Sequence, residues 1–316
     1  MKVAVTFPSA GLQLAGILFT PDDHTGAPLP AVVVSHPGGG VKEQTASNHA
    51  ERLAREGFAA LVFDAAYQGD SEGSPRGLEN PFQRAEDVRA AVSHLSTRDG
   101  IDPARIGALG ICASGGYVPF AAQTDHRIKA VATVSAVDVR SLLVEGLGRG
   151  QGPEVLQSLL DQAGAARTAE AKGEAPAVLN WAPEGPEGPE GPEGPEGPEG
   201  LEEAPTLYRE AQNYYRTPRG GHCNSNNEWP LRSIDHIAQF DPYAMIELIA
   251  PRPVLMIVGS ESDTAYFSRE AIGKAREPKE LFVVDGATHI SLYDQDAHVV
   301  PAVAKLADFF GQHLTA

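Results

Sequence analysis

Cysteine is scarce: Cys112 and Cys223 are the two in 316 residues, too few for a disulfide framework, and no cluster of Cys with His has zinc-ligand spacing. No apolar run reaches the roughly 18 residues that a membrane-spanning helix needs. The opening stretch Met1-Lys2-Val3-Ala4-Val5-Thr6-Phe7-Pro8 lacks the apolar core of a signal peptide, so a cytoplasmic protein is expected. Positive charge is short as well, with 25 Lys and Arg against 42 Asp and Glu, a net charge of −17 and a pI of about 5.0. A nucleic acid or an anionic membrane would require a basic face, and neither is expected as a partner. What is present is a chain 42% hydrophobic and long enough for one large α/β domain with an insertion, or for two smaller domains.

Short apolar runs alternate with helical patterns. Residues 3–7 and 12–19 read as two strands joined at Ser9-Ala10-Gly11. Ala31-Val32-Val33-Val34 and Ala59-Ala60-Leu61-Val62-Phe63 are continuous runs, as expected of strands buried on both faces. A helical pattern over residues 43–56 stops at Gly57, and Phe82, Ala85, Val88, Val92 and Leu95 form a second apolar stripe. Strands follow at residues 105–109, 130–134, 254–258 and 280–284, and an amphipathic helix over 299–313 closes the chain. This rhythm predicts an α/β fold: a mostly parallel sheet of about eight strands with helices on both faces. It breaks after Asp138. We therefore expect a core over 1–138 and 234–316, with a helical cap inserted between the sixth and seventh core strands over 139–233. Inside the insertion Pro-Glu-Gly repeats six times over 183–200, which reads as an extended, charged linker without chemistry.

One stretch carries reactive chemistry between small residues at a strand-to-helix turn: Gly110-Ile111-Cys112-Ala113-Ser114-Gly115-Gly116. This is the pattern of a nucleophile elbow, in which the nucleophile takes a strained conformation and only small neighbours leave room. Cys112, two residues after Gly110 and directly after the strand, is the expected nucleophile; Ser114, also between small residues, is the alternative. A thiol suits the place, because a thiolate forms readily beside an imidazole and at a helix N-terminus. The nucleophile then needs a base, a group that orients the base, and donors for an oxyanion. In chain order nucleophile, acid, histidine, the candidates are Asp263 after the seventh strand and His289 after the eighth, with Glu261 and Asp138 as other acids. Backbone N–H groups of Ala113 and of Gly38 would form the oxyanion hole. Pro37 has no N–H, Gly39 is the alternative donor, and Tyr67 could add a phenol. Tyr208, Tyr214, Tyr215 and Trp229 are candidates to roof an acyl pocket. No residue pattern calls for a cofactor or a metal.

The stretches Ser35-His36-Pro37-Gly38-Gly39-Gly40-Val41-Lys42-Glu43-Gln44, Asp70-Ser71-Glu72-Gly73, the elbow, Arg252-Pro253-Val254-Leu255-Met256-Ile257-Val258-Gly259-Ser260 with Asp263, and Gly286-Ala287-Thr288-His289 together resemble the dienelactone hydrolase-like branch of the α/β-hydrolases, and within it bacterial hydrolases related to polyketide thiohydrolases. Ser114 departs from that branch, which has glycine there. The resemblance implies a carboxylesterase, thioesterase or lactonase acting on a small-molecule ester or thioester, and allows acyl transfer and a homodimer. Two other readings are a prolyl oligopeptidase-like peptidase or an acyltransferase using Ser114, and a non-catalytic binding protein. A thiol nucleophile and the absence of a propeller-sized N-terminal region argue against the peptidase; the ordered triad argues against the binding protein.

Overall fold

A computed structural model of the chain describes residues 1–22, 24, 26–182 and 204–314. The Pro-Glu-Gly repeat expected to be a linker lies outside the described residues. Eight strands form the main sheet: β1 (Lys2–Ser9), β2 (Leu12–Phe19), β3 (Leu29–Ser35), β4 (Ala59–Phe63), β5 (Ile101–Ile111), β6 (Ile128–Val134), β9 (Val254–Gly259) and β10 (Lys279–Val284). Their spatial order is β1-β2-β4-β3-β5-β6-β9-β10. β2 runs antiparallel to both β1 and β4, and all other pairs are parallel. The continuous apolar runs are the central strands. Alternate residues of each feed opposite layers, which is what a strand covered on both faces requires. Val32 and Val34 pack with Ala46, Ala50 and Leu53 of α1 (Thr45–Arg55) and Leu306 and Phe310 of α10 (Asp296–His313). Ala31 and Val33 pack with Val88, Val92 and Leu95 of α2 (Pro81–Ser96) and Val118 and Ala121 of α3 (Ser114–Thr124).

The chain winds from β3 outward to β4, then returns to place β5 on the other flank of β3. The carboxyl ends of β3 and β5 are therefore neighbours where the winding reverses, with Ser35 in register with Gly110. Open α/β sheets bind their ligands in the crevice at such a point. After β6 the chain leaves the sheet. It forms α4 (Val139–Glu145), a 3₁₀ turn (Leu147–Arg149), α5 (Pro153–Ala171), β7 (Val178–Asn180), α6 (Thr206–Arg216), β8 (Glu228–Pro230) and α7 (Ser233–Ala238), and it rejoins the sheet at β9. β7 and β8 pair antiparallel as a small second sheet. The sequence pattern, helical over residues 154–166 and 204–215, anticipates α5 and α6. It does not anticipate the two three-residue strands, which are too short to carry an alternation. After β9 come α8 (Ala265–Lys274) and α9 (Ser291–Asp294).

Candidate active site

β5 ends at Ile111, and Cys112 follows with φ of +57°, a conformation that L-residues rarely adopt. The surrounding backbone holds it there: Cys112 N–H donates to the Val134 carbonyl at 3.0 Å, and its own carbonyl accepts from Gly115 and Val137 at 2.8 and 2.9 Å. The small neighbours are a steric requirement. A Cβ on Gly110 would come within 2.0 Å of the Ser114 carbonyl oxygen, and one on Gly115 within 2.4 Å of the Ala136 Cβ. Cys112 stands just ahead of α3, and the N–H groups of Ala113 and Gly38 and the hydroxyl of Tyr293 stand around its thiol, where each favours the thiolate. Both backbone donors expected to hold an oxyanion thus converge on the sulfur atom. Burial nevertheless pushes the thiol above its ordinary range, against those donors and the Arg84 charge. The easily formed thiolate expected from the sequence is not what the site holds at rest.

Ser114 is placed elsewhere. Its hydroxyl is fully buried, donates to the His36 carbonyl at 2.6 Å, and lies 2.9 Å from both Ser35 Oγ and the Arg84 guanidinium. It does not line the cavity beside Cys112.

The loop after β3 is built to present Gly38. Gly40 N–H donates to the Pro37 carbonyl at 3.1 Å, closing a turn whose third residue, Gly39, has φ of +68°. A side chain on Gly39 would also strike the Trp181 indole, so the position admits glycine alone. His36 is wholly buried below the loop, with Nδ1 2.7 Å from the Pro37 carbonyl and Nε2 accepting from Ala65 N–H at 3.1 Å; burial holds it well below its ordinary pKa. Arg84 Nη2 donates to the His36 carbonyl at 2.5 Å. Farther along, Lys42 Nζ lies 2.7 Å from Glu43, Asp64 and Asp70, so a built-in ammonium fills the space between those three carboxylates.

His289 follows β10 and is buried. Its carbonyl accepts from Ser135 Oγ at 3.0 Å, and desolvation lowers its imidazole to about 3. Nε2 lies 3.1 Å from Tyr293 Oη, and Nδ1 lies 2.6 Å from Thr264 Oγ1, which is itself 2.9 Å from Ser262 Oγ. The expected hydrogen bond between Asp263 and His289 is not made. Asp263 instead accepts the Leu207 N–H at 2.9 Å in the first turn of α6, where the positive end of a helix dipole favours a carboxylate, and its Oδ1 is buried with no partner among the described residues. Asp138 is likewise committed, capping α4 through Ser141 N–H at 3.0 Å and Ser141 Oγ at 2.9 Å. Glu261 accepts from its neighbour Ser260 at 3.2 Å.

The cavity over Cys112 has a volume of about 220 Å³. Val137, Val139, Leu142 and Ile237 line one part, and Trp181, Leu207, Tyr208, Ala211, Tyr215 and Trp229 of the inserted segment form the roof. Trp181 and Tyr215 meet edge to face with centroids 4.9 Å apart. Among the described residues no Asp, Glu, Lys or Arg lines this cavity. Of the expected roof residues, Tyr208, Tyr215 and Trp229 are in place. Tyr214 instead packs on Tyr293, at 5.3 Å between centroids. Tyr67 is not at the site: its ring packs under Gly73 and its backbone, at φ of +72°, bonds Glu72 and Gly77. The phenol that reaches Cys112 is that of Tyr293. Its signal in the sequence was the spacing His289-Ile290-Ser291-Leu292-Tyr293, which puts an aromatic residue one helical turn beyond the histidine.

A sheet with this strand order, a cysteine at a strained turn after β5 and a histidine after the last strand are the arrangement of an α/β-hydrolase. The model of the dienelactone hydrolase family matches residues 14–140. The chain is 37% identical over 302 residues to the Escherichia coli protein YcjY, covering 95% of this chain and 94% of that one. It is 28% identical to the thiohydrolase aneE of Aspergillus aculeatus over 80% of its own length and 74% of that enzyme. The crystal structure of PA2218 from Pseudomonas aeruginosa superimposes with a TM-score of 0.90 at 33% identity, covering 99% of this chain and 94% of that one. The chain belongs to the dienelactone hydrolase family and is a hydrolase.

Proposed function

We propose that the protein is a cofactor-free hydrolase of esters and thioesters with neutral, apolar acyl groups, working through Cys112 and His289. The observation that carries this reading is the convergence of the Gly38 and Ala113 N–H groups and the Tyr293 hydroxyl on the Cys112 sulfur, at a turn that strains the cysteine backbone. In the proposed reaction Cys112 attacks the carbonyl carbon as its proton passes to His289. The carbonyl oxygen takes the place that the sulfur holds between Gly38 and Ala113, where preorganised donors supply several kcal/mol, on the order of 3 for each donor. Collapse of the tetrahedral intermediate expels the alcohol or thiol, protonated by His289. Water, deprotonated by His289, then releases the acid and restores Cys112. Thr264 holds Nδ1, and Asp263 ties the cap to the core rather than orienting the imidazole.

The lining of the cavity selects the acyl group. A wall of aliphatic and aromatic residues, with no ionised side chain among the described residues, disfavours a carboxylate or ammonium in that position, because burying an unpaired charge is costly. The indole N–H groups of Trp181 and Trp229 have no partner among the described residues and offer donors to a polar atom on the substrate. The likeness to a thiohydrolase favours a thioester. The test is turnover of p-nitrophenyl esters and acyl thioesters of graded chain length, with intact-mass detection of the acyl-enzyme on a peptide containing Cys112. Expected are a thioester-linked adduct on Cys112 and a preference for uncharged acyl chains over their ω-carboxylate counterparts. Turnover without modification of Cys112, or a preference for the carboxylates, overturns the reading.

A further inference from the structure

We propose that Tyr293 is a catalytic residue that relays the proton between Cys112 and His289; this rests on the reading of those two residues as nucleophile and base. The imidazole Nε2 is 3.1 Å from Tyr293 Oη, and the same hydroxyl is the side-chain partner of the Cys112 thiol. The phenol therefore stands between the two groups that must exchange a proton. His289 has no other partner at Nε2 among the described residues.

The polarity of the chain can be assigned from its ends. His289 is neutral, so one ring nitrogen carries hydrogen. With the hydrogen on Nδ1 it donates to Thr264 Oγ1 at 2.6 Å, and Thr264 donates onward to Ser262 at 2.9 Å. Nε2 is then an acceptor for the Tyr293 hydroxyl, whose oxygen accepts from the Cys112 thiol. As the sulfur attacks, the S–H proton moves to the tyrosine oxygen, the tyrosine proton moves to Nε2, and the S–H electron pair forms the new S–C bond. The products are a neutral tyrosine and an imidazolium. Tyr293 does not ionise in either state, consistent with burial and the nearby Cys112, Tyr215 and Tyr214, which hold its hydroxyl far above the ordinary phenol range. Tyr215 on α6 bonds the same hydroxyl, so the roof of the acyl pocket also orients the relay.

The test needs no substrate. Alkylation of Cys112 by iodoacetamide is followed by mass spectrometry from pH 6 to 9 on the full chain, for the wild type, His289→Ala, Tyr293→Phe and the double variant. The relay predicts that each single variant slows alkylation at pH 7.5 by about tenfold or more, and that the double variant is no slower than the slower single one, because both interrupt one path. Slow alkylation of His289→Ala with wild-type alkylation of Tyr293→Phe overturns the relay alone and leaves the pair Cys112–His289 standing. Wild-type alkylation of His289→Ala overturns the pair itself. Should Tyr293→Phe not fold, Tyr215→Phe is measured in its place; a loss of several-fold supports the relay, and no change overturns it. Where an acyl substrate is in hand, Tyr293→Phe is expected to lower kcat about 100-fold with KM little changed.

Discussion

At the level of single residues, Cys112 and His289 are both neighbours of the Tyr293 hydroxyl and both uncharged. Burial raises the thiol and lowers the imidazole to about 3, so neither group carries charge at neutral pH, and in the proposed reaction a thiolate–imidazolium pair would arise only as Cys112 attacks. Two consequences can be measured. Alkylation of Cys112 should climb from pH 7 through 9 without levelling near neutrality; a plateau reached below pH 7 would show a preformed thiolate instead. The acid limb of kcat/KM should not carry a His289 titration between pH 5 and 7, because this base is already unprotonated throughout that range. The choice between Cys112 and Ser114 is a residue-scale question as well. Cys112→Ala should cut kcat on the order of 10⁴-fold or more. Ser114→Ala should leave acylation of Cys112 intact and lower stability by about 1–3 kcal/mol, since Arg84 and Ser35 lose a buried partner. Loss of turnover in Ser114→Ala, with the variant folded and Cys112→Ala active, would reverse the assignment.

At the level of elements, the site is an arrangement of strand ends. β3 delivers Gly38, β5 delivers Cys112, β9 leads to Asp263 and Thr264, and β10 leads to His289. The sequence made these positions legible because the strands read as short apolar runs and each of these residues lies within about five positions after the end of one. What it could not resolve was which of two adjacent side chains faces the imidazole. Asp263 and Thr264 differ by one position at the entry to α8, and the hydrogen-bonding needs of α6, far away in sequence, draw the carboxylate to Leu207 N–H and leave Thr264 for Nδ1. Trp181 and Tyr293 carry little signal for a similar reason: one sits next to a low-complexity repeat, and the other, in a four-residue helix, is marked by nothing beyond its one-turn spacing from His289. The division of labour is testable. Thr264→Val should lower kcat about tenfold or more by freeing the imidazole. Asp263→Asn, which keeps an acceptor for Leu207, should hold kcat within a few-fold and act on KM through the cap. The opposite pattern would restore Asp263 as the orienting acid.

At the level of the whole molecule, three buried histidines make the fold sensitive to acid. His36 under the oxyanion loop, His49 in α1 and His289 are all buried with lowered pKa values; His49 titrates at about 4 and His289 at about 3. Each binds a proton in the unfolded chain as pH falls through about 6.5 but stays neutral in the fold, so the unfolded state binds more protons and stability decreases with falling pH. By pH 5, about 1.5 units below the unfolded value, His49 and His289 each remove about 2 kcal/mol relative to neutral pH. The buried carboxyls of Asp64 and Asp87 are raised by burial and act in the opposite direction, gaining protons in the fold first. One substitution separates the two contributions. His49 lies away from the cavity over Cys112, bonded through Nδ1 to the Thr45 carbonyl at 3.0 Å, with Arg52 nearby opposing its protonation and Nε2 buried with no partner among the described residues. His49→Phe removes that titration and keeps an aromatic ring in the core between α1 and the sheet. Urea unfolding at pH 7.5 and at pH 5 should show the wild type losing several kcal/mol between the two, and His49→Phe losing about 2 kcal/mol less, whatever its absolute stability. Equal losses in the two proteins would mean that His49 takes up its proton within the fold, and that the acid sensitivity of the molecule resides elsewhere.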